Sequence, residues 1–175
     1  MEPESRLPRT VALIGMMGAG KSTVGRLLAQ RLGVSFFDSD AYIEERQGKT
    51  VAQIFRDDGE PAFRQWEAEA VSAALAMPTP VVLGVAGGAI LRPDTRDALT
   101  KRATVVWLRA PVEVLIKRVV ARHLDRPMIA EDPDTAMRRL YEERQPIYEA
   151  LADQIIDAGD VTPVQAVDAI VERVL

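Results

Sequence analysis

Residues 15–22 read GMMGAGKS, and this stretch decides the fold that the surrounding chain must adopt. It matches the phosphate-binding pattern G-x-x-x-x-G-K-S, whose glycines allow backbone N–H groups to surround an anion. The apolar run at residues 11–14 predicts a buried strand before the loop, and residues 23–32 predict a helix after it. That context favours a nucleoside triphosphate site over the alternative, a glycine-rich turn that merely joins strand to helix.

The loop and the start of the helix each supply a part of such a site. Lys21 can reach the β- and γ-phosphates, and the Ser22 hydroxyl can ligate Mg²⁺. The helix N-terminus adds partial positive charge. We therefore expect the phosphates to contact Gly18, Ala19, Gly20, Lys21, Ser22 and Thr23.

Composition narrows the class of protein. The 175 residues are 47% hydrophobic and 27% charged, which predicts one soluble domain over residues 1–175. The net charge of −4 argues against a general nucleic-acid-binding surface. The chain has no Cys, which excludes disulfides, thiolate zinc sites and Cys nucleophiles. It also has no Asn and no D-x-x-G, so the motifs of GTP-driven switches are missing.

The amino terminus lacks the basic start and apolar core of a signal peptide, and no apolar run approaches the length of a membrane span. We therefore expect a cytoplasmic monomer with no membrane partner.

Apolar runs alternate with helical patterns along the chain, which predicts an α/β fold: a three-layer α/β/α arrangement with a five-stranded parallel sheet. Two capping boxes, each a Thr followed by Gln three residues later, mark helix starts at Thr50 and Thr162, and Asp132 resembles them. Pro146 predicts a break or kink near Gln145. The predicted strands are residues 11–14, 34–37, 81–85, 104–108 and 154–156.

Two segments are longer than a simple crossover connection between strands requires. Residues 39–77 contain three helical patterns, at 39–47, 50–58 and 60–77, and predict an acceptor-binding insertion. Residues 121–133 are polar and contain proline, which predicts a lid.

Asp38 and Asp40 end the second predicted strand. Two carboxylates two residues apart on an extended segment project to the same side, where one can face a metal and the other an acceptor hydroxyl. The alternative is that both simply cap the next helix.

Arg64 and Glu67 share a helix face, and the spacing alone favours an ordinary surface ion pair. A guanidinium held by Glu67 to bind a substrate carboxylate is the functional alternative. Gly87 and Gly88 indicate either a turn or a close backbone approach to a ligand. His123, the only histidine, is interpreted as a solvated loop residue.

In order along the chain, several stretches resemble the shikimate kinase family. They are the phosphate loop with S-T-V-G-R-L-L-A, F-F-D-S-D, I-F-R-D-D-G-E-P-A-F-R-Q-W-E, the Gly-Gly strand end, R-P in the predicted lid and E-R-Q-P-I-Y. The resemblance extends from about residue 10 to residue 163, and the I-F to W-E stretch is its most specific part.

The resemblance implies a kinase that transfers the ATP γ-phosphate to the 3-hydroxyl of shikimate, with Mg²⁺, on the way to chorismate. It implies catalytic roles for Lys21, Asp40 and Arg126, with Asp40 contacting substrate hydroxyls and Arg126 neutralising charge from the lid. It further implies a metal supported by Ser22 directly and Asp38 through water, and ATP contacts from Arg118 and Arg126. The implied substrate-binding residues are Asp40, Arg64, Gly87, Gly88 and Arg144, with Glu67 supporting Arg64.

The chain departs from the family pattern at Ala86, where glycine is usual, and at Gly84, where Ser or Thr is usual. Two alternatives stay open at this point. One is a related kinase for another small acid or nucleotide, such as gluconate. The other is a nucleotide-binding regulatory protein that does not turn over.

Overall fold

A computed structural model describes residues 7–123, 127–130 and 132–175. Its five strands form one parallel sheet in the order β2-β3-β1-β4-β5, with helices packed around it, so the predicted fold class is confirmed. All five predicted runs contain a strand, with ends that differ from prediction by up to two residues. The strands are β1 (Thr10–Ile14), β2 (Phe36–Asp38), β3 (Val82–Gly84), β4 (Ala103–Arg109) and β5 (Gln154–Asp157).

Seven helices and two short 3₁₀ turns, Ala89–Leu91 and Pro127–Ile129, occur in the described parts of the chain. None of the described helices combines the length and the apolar character that crossing a bilayer demands. The helices are α1 (Lys21–Leu32), α2 (Ser39–Gln47), α3 (Val51–Leu75), α4 (Pro93–Arg102), α5 (Val112–Ala121), α6 (Pro133–Leu151) and α7 (Pro163–Val174).

Strand register sets where the functional loops meet. In the sheet Gly84 pairs with Leu13 of β1 on one side and with Asp38 of β2 on the other, so the three strands end at one level. All five residues of β1 are buried, and the four from Val11 to Ile14 belong to the main hydrophobic core. The loops that follow β1, β2 and β3 therefore emerge side by side at the carboxyl edge, where open α/β sheets bind ligands.

The predicted helical insertion is present. α2 matches residues 39–47, and α3 contains the two further helical patterns with a non-helical residue, Gly59, between them (φ 83°, ψ 169°). A small second core of buried side chains lies within α2 and α3 and stabilises the insertion by its own apolar contacts. Its members are Ile43, Val51, Ile54, Phe63 and Ala70.

Local signals at helix ends behave as predicted, with one exception. Both capping boxes form, at Thr50 and Thr162, and the Asp132 side chain accepts from the Thr135 N–H. A break or kink is predicted near Gln145; the break is wrong, because α6 continues through Pro146 to Leu151, and the kink stays a prediction. A proline removes a single N–H donor, and the packed face of a long amphipathic helix can offset that loss.

The Phe36 ring accounts for the presence of glycine at two positions that face it. A Cβ on Gly25 of α1 would overlap the Phe36 ring, and a Cβ on Gly84 would lie 3.2 Å from that ring. Gly84 replaces the Ser or Thr usual in the family. The ring of Phe36 fills the space beside both glycines, so a side chain at either position would press against it.

We expect Gly25→Ala to lower the free energy of unfolding by about 1–3 kcal/mol through overpacking, although alanine is the better helix former by about 1 kcal/mol. In a Phe36→Ala background, where the clash is absent, the same change should be neutral or stabilising. Urea unfolding of the four proteins measures both effects. A Gly25→Ala protein more stable than the parent would contradict the packing argument.

Candidate functional site

The phosphate loop has the backbone geometry that its glycines predict. Gly15, Gly18 and Gly20 all have positive φ, at 144°, 83° and 96°. A Cβ on Gly15 would also lie 2.8 Å from the Leu108 carbonyl oxygen of β4, so glycine is required there by space as well. Gly20 stands at the N-cap of α1 and has no side chain to cap the helix. The first N–H groups of α1 can therefore bind an anion.

Lys21 lies at this helix start. Its Nζ donates to the carbonyl oxygens of Gly15, at 2.7 Å, and Met16, at 3.0 Å. These bonds hold the ammonium group against the loop, on the cavity that the loop lines. Ala19, also predicted to bind phosphate, has a buried side chain, and so only its backbone can serve that role.

Ser22 and Asp38 meet beside the loop. The Ser22 hydroxyl donates to Asp38 Oδ2 at 2.9 Å, and Asp38 Oδ1 accepts from the Ala41 N–H at 3.1 Å. Asp38 therefore caps α2, as the alternative interpretation held, and also contacts the residue expected to ligate a metal. The two hard oxygen donors match the preference of Mg²⁺, which usually takes few protein ligands and keeps phosphate oxygens and waters.

No set of three His, Cys, Asp or Glu side chains that could hold a metal ion occurs within residues 7–123, 127–130 and 132–175.

Asp40 is not on an extended segment, so the predicted geometry for the two carboxylates is wrong. Asp38 ends β2, whereas Asp40 lies in the first turn of α2, because the helix begins directly at Ser39. Both carboxylates nevertheless line the same cavity. The helix start replaces strand alternation as the reason that they face it.

Arg64 is held by two carboxylates. Its Nη1 donates to Glu67 Oε2 at 2.7 Å, and its Nη2 donates to Glu60 Oε1 at 3.0 Å. The side chains of Arg64 and Glu67 are only 13% and 1% exposed, so the interpretation favoured by spacing, a surface ion pair, is wrong. A Cβ on Gly88 would overlap the Arg64 guanidinium, so a side chain at that position would displace the guanidinium from its present place.

Burial raises the pKa of Glu67 to about 7, although the Arg64 guanidinium opposes this rise and Asp40 adds to it. The part of α3 that lines the cavity therefore contains a carboxyl group whose charge changes near neutral pH. A buried carboxyl with a specific charged partner is typical of functional sites.

Arg144 is the second buried guanidinium. It is 2% exposed, and its Nε has no hydrogen-bond partner among the described residues. A Cβ on Gly87 would lie 3.2 Å from Arg144 Nη1. Met128 Sδ lies 3.6 Å from Arg64 Nη2 and 3.9 Å from Arg144 Nη2, so one thioether contacts both guanidinium groups. A buried cation with an unused donor is suited to an anionic ligand.

Arg118 lies away from this pair, outside the set of residues that line the cavity. Its guanidinium donates to the Gly18 carbonyl oxygen at 3.2 Å and to those of Ala158 and Gly159 at 2.9 and 3.1 Å. It thus joins the phosphate loop to the segment after β5, where the resemblance implies an adenine-binding loop.

Arg126, assigned to catalysis and ATP binding from the resemblance, lies outside the described residues. His123 is exposed and has a φ of 48°, which agrees with its interpretation as a solvated loop residue. Arg122 lines the cavity and was missed by sequence reasoning, as were Met128 and the buried Ser39 and Tyr148. Tyr148 stands in the E-R-Q-P-I-Y stretch, which was the available signal.

One cavity of about 350 Å³ unites the two halves of the predicted site. The phosphate loop and Asp38 lie on its wall together with Arg64 of α3 and Arg144 of α6. Of the predicted residues, it is lined by Gly18, Gly20, Lys21, Ser22, Thr23, Asp38, Asp40, Arg64, Glu67, Gly87, Gly88 and Arg144.

Comparison with known proteins agrees with this geometry. The chain is 44% identical over 171 residues to the shikimate kinase of Paramagnetospirillum magneticum, covering 97% of this chain and 86% of the relative. It is 47% identical over 154 residues to that of Nitrobacter winogradskyi, covering 87% and 71%. The solved shikimate kinase of Acinetobacter baumannii in complex with shikimate has a TM-score of 0.91 at 35% identity, covering 97% of this chain and 93% of that one.

The family model for shikimate kinase matches residues 17–175, which include the phosphate loop from its third residue and both buried arginines. With a phosphate loop and a paired-guanidinium pocket on one cavity, and with relatives of this identity, the chain belongs to the shikimate kinase family.

Proposed function

We propose that this chain phosphorylates the 3-hydroxyl of shikimate with ATP, giving shikimate 3-phosphate and ADP. The observation that supports this most directly is the shared cavity, which is lined by the phosphate loop and by two guanidinium groups, those of Arg64, 13% exposed, and Arg144, 2% exposed. A small acid that carries hydroxyl groups needs an anion clamp at one end and a phosphate donor at the other.

In this proposal the phosphates of ATP bind the N–H groups at the start of α1, and Lys21 pairs with the β- and γ-phosphates. Ser22 and Asp38 would hold Mg²⁺, with Ser22 as the expected direct ligand and Asp38 acting through water. When bound, the ion screens the charge that develops on the transferring phosphoryl group. Arg118 packs at the adenine end, next to the loop after β5.

The acceptor is oriented by the opposite wall. Arg64 and Arg144 bind the carboxylate, Glu67 and Glu60 hold Arg64, and the backbone of residues 87–88 lies against the clamp. Asp40 orients the acceptor hydroxyl and is placed to accept its proton. Loose phosphoryl-transfer transition states demand little base, so orientation is the larger part of this role.

Three further assignments stay predictions: a lid over residues 121–133 that carries Arg126, a single domain over residues 1–175, and a cytosolic monomer. A lid would exclude water, which otherwise competes as the acceptor.

An acceptor screen with ATP and Mg²⁺ tests the proposal. ADP release should depend on shikimate and not on gluconate, other sugar acids or nucleosides. A Lys21→Met protein should fold normally and lose activity by orders of magnitude, and it therefore serves as the negative control. Turnover of a sugar acid without turnover of shikimate would favour a related kinase. ATP binding without ADP release for any acceptor would favour a regulatory protein.

Arg64→Lys tests the clamp. An ammonium group cannot form the paired N–H bonds of a guanidinium, so we expect KM for shikimate to rise by roughly tenfold or more and KM for ATP to change little. Arg56→Lys, an exposed arginine of the same helix, serves as the control and should leave both constants unchanged. Equal rises in the two constants for Arg64→Lys would contradict the proposal that Arg64 binds the shikimate carboxylate.

The raised pKa of Glu67 predicts how shikimate binding depends on pH. The ordinary carboxyl pKa is 4.5 and that of Glu67 is about 7, so between these values the group keeps its proton and adds no negative charge to the clamp. Above pH 7 the ionised carboxylate repels the substrate carboxylate, and the dissociation constant should rise about three- to tenfold between pH 6 and 8.

Calorimetry without ATP, in two buffers of different ionisation enthalpy, should detect proton uptake on shikimate binding near pH 7. Glu67→Gln, whose amide stays uncharged, should bind about as tightly as the parent at pH 6 and show a flatter pH dependence. If the variant and the parent show the same slope, Glu67 is not the group that titrates.

A further inference from the structure

The turn at residues 86–88, here named the 86–88 turn, lies between the two halves of the cleft. A Cβ on Gly87 would lie 3.3 Å from the Gly15 carbonyl oxygen and 3.2 Å from Arg144 Nη1. That Gly15 oxygen accepts the hydrogen bond from Lys21. The 86–88 turn therefore touches the phosphate loop on one side and the arginine clamp on the other.

Two buried hydroxyl groups hold the 86–88 turn. Ser39 Oγ accepts from the Ala86 N–H at 2.9 Å, and the Tyr148 hydroxyl donates to the Gly87 carbonyl oxygen at 2.7 Å. Ser39 and Tyr148 are each 1% exposed. One hydroxyl comes from α2 and the other from α6, so the turn is held from two separate elements.

Tyr148 is itself fixed in place. Its ring packs on Trp107 of β4, with centroids 5.7 Å apart, and it lies one helical turn after Arg144 in α6. Trp107 Cδ1 is also 3.6 Å from the position of a Cβ on Gly15. Burial raises the pKa of Tyr148 to about 12, partly opposed by Arg144, so the hydroxyl remains a donor across the working pH range.

We propose that Tyr148 and Ser39 are positioning residues for the acceptor: their hydroxyl groups fix the 86–88 turn, which sets the separation between the arginine clamp and the phosphate loop. This inference rests on the proposed function. Neither hydroxyl needs to touch shikimate or ATP, because each acts through a backbone group of the turn.

The turn depends on these two hydroxyl groups because of its own composition. Gly87 and Gly88 have no side chains that could wedge them in place, and glycine has the greatest conformational freedom of any residue. Removing one hydroxyl leaves a buried backbone group without its partner and lets the turn shift. A displacement of about 1 Å at a reacting site can cost up to about a hundredfold in rate.

Tyr148→Phe removes one oxygen and keeps the ring against Trp107. We expect kcat/KM for shikimate to fall about tenfold, while KM for ATP stays within about twofold and the fold is retained. Tyr141→Phe, on the same helix and away from the cavity, is the matched control and should leave both constants unchanged.

Ser39→Ala provides a second, independent variant from α2. It should show the same selective loss for shikimate, and combining it with Tyr148→Phe should lower kcat/KM further. An unchanged kcat/KM for shikimate in both single variants, or a rise in KM for ATP as large as the loss of kcat/KM for shikimate, would overturn the inference. Failure of the proposed function is distinct, since the parent protein would then show no shikimate-dependent ADP release at all.

Discussion

The parallel pairing of β1, β2 and β3 is the constraint on which the site depends. Because Leu13, Gly84 and Asp38 are level in the sheet, the phosphate loop, the 86–88 turn and the start of α2 leave the sheet at one edge. These parts are far apart in the chain, and only the register brings them within contact distance. A slip in that register would separate Asp38 from Ser22 and the turn from the loop together.

The second organising feature is the charge balance of the cavity. Arg144 is almost fully buried and has an Nε donor with no partner among the described residues, an arrangement that weakens a folded protein unless an anion completes it. Glu67 accepts a hydrogen bond from Arg64, and because burial raises its pKa to about 7 it offsets the charge of that guanidinium only in part near neutral pH. The cleft is therefore suited to accept one carboxylate and release it again, rather than to form a permanent salt bridge.

Met128 adds to this arrangement. Its sulfur contacts both guanidinium groups, and it stands in the 3₁₀ turn Pro127–Ile129, within residues 121–133, the segment predicted to be a lid. A soft, polarisable thioether can lie against cations without competing strongly with a carboxylate. The two arginines, from α3 and α6, thus share a common apolar neighbour that links them to the segment between α5 and α6.

The departures from the family pattern have local explanations. Gly84 leaves room for the Phe36 ring, which also packs over Gly25. The Ala86 side chain does not prevent its N–H from bonding to Ser39. A glycine at position 86 is therefore not needed for that bond, whereas Gly88 cannot be replaced without displacing Arg64.

Much of this protein follows from the sequence by itself. The phosphate loop, the alternation of strands and helices, both capping boxes and the helical insertion are all local patterns, and each depends on residues only a few positions apart. Such signals are readable because backbone geometry and helix capping are determined over short distances. The family resemblance added the assignment of Arg64 and Arg144 to one clamp.

What only the tertiary structure decided depends on burial and on contacts between distant elements. Spacing could not show that Glu67 is buried or that α6 runs through Pro146. Nor could it show that Ser39 and Tyr148, which are 109 positions apart in the sequence, hold neighbouring backbone groups of one turn. Burial and long-range hydrogen bonds are set by how the elements pack, and a linear pattern does not contain that information.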